Sequence, residues 1–156
     1  MEENPLQRHR KGLALEAADF LYPAELFVAD ANSGGDTARY LLDRLLTEGI
    51  TESFVRDINN RLKEVRKGVL VQKSGTAGRI EIRDVWTIRT TPAGAPAVTL
   101  AFVHLLNGGA FEKLKACDAD DCSNYHFRRG KWCSDTCGSR MRGKTKRKLD
   151  KQRQML

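Results

Sequence analysis

Residues 131–148 read KWCSDTCGSRMRGKTKRK, two cysteines three residues apart followed by a run that is mostly positive charge. Working upstream from that stretch, Cys117 and Cys122 join Cys133 and Cys137 in a C-x4-C-x10-C-x3-C pattern that uses all the cysteine in the chain. Two close pairs across a short span can set four sulfurs around one ion, and tetrahedral thiolate is what Zn²⁺ prefers in structural sites. Four thiolates also fill the coordination sphere, which argues against a catalytic zinc with an open position. The segment around them has few apolar side chains, chiefly Leu114, Tyr125, Phe127 and Trp132. Metal ligation, worth on the order of 10 kcal/mol or more in small zinc modules, can supply the folding free energy that is missing. Two disulfides are the weaker alternative because nothing marks the chain for export, and an iron–sulfur cluster or free redox thiols complete the options.

Charge divides the chain at the same place. Residues 1–111 hold 14 Lys/Arg and 14 Asp/Glu, whereas residues 112–156 hold 13 basic and 6 acidic residues, so the whole +7 resides in the second block. This segregation predicts two regions with different tasks, 1–111 and 112–156. No apolar run approaches the roughly 18 residues of a membrane span. The opening MEENPLQRHRKG lacks an apolar signal-peptide core, so a cytoplasmic protein is expected.

Periodicity predicts the elements of the first region. The first thirty residues mix a helical apolar pattern with a break at Pro23, leaving a short helix or strand on each side. NSGGD, residues 32–36, reads as a loop and helix start. TARYLLDRLLTEG places Ala38, Leu41, Leu42, Leu45 and Leu46 on one helical face, with Gly49 as the stop. Thr51 caps the next helix, in which Phe54, Val55, Ile58, Leu62 and Val65 repeat at helical spacing up to Gly68. The period then drops to two. VLVQK and RIEIRDVWTIRTT read as strands joined by SGTAG, with Ile80, Ile82, Trp86 and Ile88 on one face. Asp84 falls on that face, which predicts a bulge or a partly open edge. AVTLAFVHLLNGG, after Pro96, reads as a buried helix.

In the second region, residues 116–123 should form a turn carrying the first ligand pair. NYHFRRGKW suggests a short hairpin. Ser134 or Asp135 should cap a helix that holds Cys137 in its first turn. Turn, hairpin and helix around one zinc amount, by analogy, to a treble-clef-like finger, so the fold class expected is α+β with a four-cysteine zinc finger and a basic C-terminal helix. The basic residues fit contact with a polyanion. Arg140 and Arg142, near the helix start, are the candidates for bidentate base contact. Lys144, Lys146, Arg147 and Lys148 suit backbone phosphates, and Arg128, Arg129 and Lys131 extend the patch from the hairpin side. Gly138 and Gly143 each weaken an isolated helix by about 1 kcal/mol, so full helix order is expected on binding. His126 is a spare candidate ligand, His104 a core or edge residue, and His9 uninformative. No Ser–His–Asp set, phosphate loop or paired carboxylates emerges, so no enzyme is expected.

At ACDADDC (116–122), WCSDTCGSR (132–140) and the basic residues beyond, the chain resembles the CGNR zinc-finger family of bacterial proteins. The likeness rests on the C-x4-C turn, on Trp132-Cys133-Ser134, and on Cys137-Gly138-x-Arg140. It covers about a quarter of the chain closely; LAFVHLLNGGAFEKLKAC is similar to the family's last elements before the finger. The resemblance implies an ABATE-type α/β domain over residues 1–111, acting as a sensor or pairing domain, and a DNA-binding finger over 112–156 in a stress-induced transcription regulator. Ser139 stands where the family's name-giving motif has Asn, and the span from Cys122 to Cys133 is short, but no ligand is lost. Duplex DNA is therefore the expected partner, with a homodimer and a small-molecule effector compatible with it. An RNA-binding or ribosome-associated module, stacking bases on Tyr125, Phe127 and Trp132, and a protein-interaction module remain the alternatives.

Overall fold

The structure, a computed structural model, describes residues 15–16, 24–74, 79–88 and 94–154. Its elements run β1 (Leu15–Glu16), α1 (Ala24–Asn32), α2 (Asp36–Glu48), α3 (Glu52–Leu62), β2 (Val65–Ser74), β3 (Arg79–Ile88), α4 (Gly94–Asn107), β4 (Lys115–Ala116), β5 (Tyr125–His126) and α5 (Asp135–Gln154). This mixture of helices with small sheets is an α+β arrangement. No helix among the described residues is long and apolar enough to cross a membrane.

Helices α1 to α4 enclose the main core. Phe27, Phe54 and Phe102 are fully buried, and Phe111 closes the cluster from the turn after α4. The rings of Phe102 and Phe111 stack with centroids 5.3 Å apart, while Phe54 meets Phe102 edge-on at 6.0 Å. Both are favoured aromatic geometries that add to the burial of the rings.

Local chemistry sets the helix ends. Gly49 adopts φ +67°, a left-handed conformation suited to glycine, and its N–H bonds the Leu45 carbonyl at 3.1 Å to finish α2. The Thr51 hydroxyl accepts from the Phe54 N–H at 3.3 Å and starts α3. Gly109 at φ +71° turns the chain out of α4.

Several expectations from periodicity are corrected. Helix α3 stops at Leu62, so Val65 to Gly68 begin a strand instead of a last helical turn. Leu46 and Val55 are 39% and 42% exposed, on the rim of the predicted faces. Helix α4 starts at Gly94, which puts Pro96 inside its first turn, where no backbone N–H is needed. Pro23 does precede a helix, α1, with β1 before it. Strand β3 is central, in the order β1-β3-β2, and pairs antiparallel with β2 without interruption from Val65↔Ile88 to Ser74↔Arg79. Val69↔Asp84 lies within that ladder, so no bulge toward β2 occurs there. The SGTAG turn, the N-terminal leader with His9, and the side chains of Ile80, Ile82, Trp86 and Ile88 lie outside what is described.

Candidate metal centre and basic face

The cysteines are positioned by three pieces of backbone. Strands β4 and β5 pair as Lys115↔His126 and Ala116↔Tyr125, so the hairpin surrounds the first ligand pair. It is not formed by residues 124–132, as the aromatic–Gly–aromatic pattern suggested; those residues run from β5 through bends to α5. The Cys117 N–H bonds the Asn124 carbonyl at 2.8 Å, and the Cys122 N–H bonds Ala119 at 2.9 Å, which curls the loop so that both thiols turn inward. The Asp118 N–H then reaches the Lys131 carbonyl at 3.0 Å and holds the approach to Cys133 beside that loop. Ser134 caps α5: its hydroxyl accepts from the Cys137 N–H at 3.1 Å, placing Cys137 in the first turn as expected.

The four sulfurs lie within 4.8 Å of one another. Cys133 Sγ is 3.6 Å from both Cys122 Sγ and Cys137 Sγ. A tetrahedron with Zn–S bonds of about 2.3 Å has edges of about 3.8 Å, so the cluster has the dimensions of one tetrathiolate zinc site. All four are free thiols. The donors around them suit thiolate: the Cys133 N–H points to Cys117 Sγ at 3.4 Å, and Arg140 Nη2 to Cys137 Sγ at 3.5 Å. Four thiolates with one Zn²⁺ carry two net negative charges, which a guanidinium beside the sulfur offsets. Without a cation, burial and the neighbouring thiols push Cys133 up to about 12. Cys117 goes the other way: burial opposes its ionisation, but the Cys133 and Ala119 amides and the Cys133 thiol outweigh it. Ligation by thiolate requires each thiol to lose its proton, so zinc binding at this site releases protons. The chain's residues thus fit one structural zinc ion.

His126 stands apart from this cluster. It is buried, and among the described residues neither ring nitrogen has a hydrogen-bond partner. His104 is exposed on α4.

The basic residues divide into two groups. Arg140 makes an ion pair with Asp121 at 2.9 Å, and Lys144 a second with the same carboxylate at 3.2 Å. Lys144, with Arg140 beside it, holds the Asp121 carboxyl below its ordinary range. Arg140 is therefore turned toward the zinc loop. Arg142 lies over the Trp132 ring, 5.5 Å from its centroid, and donates to Ser139 Oγ at 3.1 Å. Arg128 pairs with Asp135 at 2.7 Å. Lys146, Arg147 and Lys148 are exposed and have no ion-pair partner among the described residues, while Arg129 and Lys131 are exposed at the bend. Helix α5 is unbroken over 20 residues, through both glycines, and every residue from 145 to 154 is exposed.

A contact that the sequence did not advertise ties the finger to the helices. The Asn32 side chain accepts from the Tyr125 N–H at 2.8 Å and donates to its carbonyl at 3.0 Å. The Tyr125 hydroxyl donates a short hydrogen bond to the Asp43 carboxylate, and burial together with that partner raises its phenol well above the usual range. Arg39 covers the same ring and donates to the Ser123 carbonyl at 2.9 Å. Asn32 and Tyr125 are 93 positions apart, so no local pattern could have shown the pairing.

No protein-family model, curated protein or solved structure matches the chain.

Proposed function

We propose that the protein binds duplex DNA as a transcription regulator of the CGNR type, with one structural zinc on Cys117, Cys122, Cys133 and Cys137 fixing the start of a basic helix. The observation that carries this reading is α5 itself. A helix that is polar on every side gains nothing from burial and is stable only with help from a partner or from side-chain pairs. Its last ten residues are exposed and carry Lys146, Arg147, Lys148, Lys151 and Arg153 against Asp150 alone. A polyanion is the partner that this surface suits. Residues 1–111 act in this reading as the sensor or pairing region, and a dimer supplies a second half-site.

Duplex is favoured over single-stranded RNA because two of the three rings of the proposed stacking platform are engaged in the fold. Tyr125 is 3% exposed and Phe127 packs on the main core, which leaves Trp132, with Arg142 over its ring.

The test is the affinity of zinc-loaded full-length protein for duplex DNA as salt is varied. Five to six phosphate contacts give a slope of log K against log salt of about −4.5 to −5.4. A slope near zero with zinc in place, or better competition by single-stranded RNA than by duplex, contradicts the proposal. Selection from random duplexes then yields the operator, and its symmetry reports the dimer.

A further inference from the structure

Between the 127–132 segment and the first turns of α5 lies a cleft of about 260 Å³, whose walls include Arg128, Arg129, Trp132, Asp135, Gly138 and Arg142. Three features make it more than a crowded surface. The first is Gly138. A Cβ there would stand 2.9 Å from Trp132 Cε3 and 3.2 Å from Arg142 Nη1, so the indole and guanidinium reach their places only because that helical position has no side chain. Glycine inside a helix is unfavourable, and here it is the condition for the cleft. The second is Arg142, whose guanidinium lies over the Trp132 ring, 5.5 Å from its centroid, and donates from Nη2 to Ser139 Oγ. A guanidinium fixed in this way presents its remaining donors as a preset fork, the geometry that matches phosphate oxygens. The third is the charge. Three arginines and a single carboxylate, Asp135, line the cleft at the positive end of a 20-residue helix.

We propose that this cleft is a phosphate seat, taking the phosphate group of a nucleotide between Arg142, Arg129 and Arg128. It rests on the nucleic-acid reading above and deepens it. Asp135 occupies the seat's edge in the free protein: its carboxylate pairs with Arg128, yet the two side chains are 93% and 49% exposed, a screened pair that a phosphate can replace. With Asp135 counted, the cleft has two positive charges in excess. A phosphate monoester carries about −1.5 to −2 at neutral pH, so a terminal or free phosphate balances the cleft more fully than a backbone diester with a single charge.

The experiment is an NMR titration of ¹⁵N-labelled, zinc-loaded full-length protein at constant ionic strength. The arginine Nε–H and Trp132 indole signals are followed with AMP, with a dinucleoside phosphodiester lacking a terminal phosphate, and with a short duplex carrying or lacking 5′-phosphates. Expected are saturable shifts at Arg142, Arg129 and Trp132 with AMP. Affinity should fall roughly tenfold or more in Arg142→Lys, which keeps charge but loses the fork, and in Arg129→Ala, whose exposed side chain is not needed for folding. Zinc content confirms that both variants are intact. Saturation by AMP without duplex binding supports the seat, identifies free nucleotide as its source and defeats the duplex reading. Duplex binding that leaves the cleft signals still, with wild-type affinity and salt slope in both variants, overturns the seat and leaves the duplex reading standing. Equal shifts with chloride alone also overturn it.

Discussion

Residues 24–114 and residues 115–154 are held together by different material. The first region buries Phe27, Phe54, Phe102, Leu41 and Leu42 completely. Among the described residues, the second buries Cys117, Ala119, Tyr125, His126, Cys137 and Gly138, and of these Tyr125 belongs to the core of the first region. A separate cluster, made of the cysteines with Ala119, Trp132 and Met141, is all the second region has of its own. So small a cluster cannot offset the conformational entropy of some forty ordered residues, about 1–2 kcal/mol each for the backbone alone. The difference teaches where the ion matters: apolar area shapes the helices, and coordination shapes the surface that carries the arginines.

The sharpest way to break this contrast is Cys133→Ser. It removes the sulfur that stands 3.6 Å from two others. Loss of zinc and of metal-linked folding free energy on the order of 10 kcal/mol is expected. Zinc content and the near-ultraviolet signal of Trp132 should be lost and duplex binding with them, while far-ultraviolet helicity from α1 to α4 persists. A folded, zinc-free variant that binds DNA normally would refute the metal's role. Phe102→Ala attacks the other region. It empties a fully buried site in contact with three phenyl rings and should cost about 3–5 kcal/mol in denaturant unfolding. The zinc-to-protein ratio should stay the same, and its loss would show that the two regions share one stabilising element.

Tyr125→Phe probes the joint between them. It leaves the ring in place but strips the Asp43 carboxylate of its donor, so a loss of about 1.5–3 kcal/mol is expected, again with zinc retained. A change within error would mean that packing alone joins the regions. The smallest effects come from two glycines of one helix. Gly143→Ala meets nothing within 4 Å and should stabilise α5 by up to about 1 kcal/mol. Gly138→Ala should do the reverse by about 1–3 kcal/mol, since the new methyl strikes the Trp132 ring. Thermal melting of the two variants side by side decides the point, and like signs would count against the close approach at Gly138.

The same contrast governs what was legible in the sequence. Periodic apolar residues revealed α2, α3 and α4, because burial on one helical face leaves a repeating trace. The cysteine spacing revealed the metal cluster, because four ligands must come from nearby turns. Val65 misled because its spacing continues the α3 stripe, although its strand pairing with Ile88 wins. The hairpin escaped because strands of two residues leave no alternation to read. The close approach at Gly138 is hidden, since sequence gives no sign of the indole lying against it. The pairing of Arg140 with Asp121 across the zinc loop likewise leaves no trace in the spacing. Charge pairing across folded turns and the Asn32–Tyr125 clasp are properties of the assembled chain, not of any window of it.

The central claim is that one zinc ion builds the second region and leaves the first to its own packing. Amide hydrogen exchange across the whole chain, before and after zinc is stripped by a chelator, tests it most directly. The account predicts that stripping releases protection from residues 115–140, that α1 to α4 stay protected, and that one equivalent of zinc restores the pattern. Protection of residues 115–140 that is unchanged by stripping would contradict it.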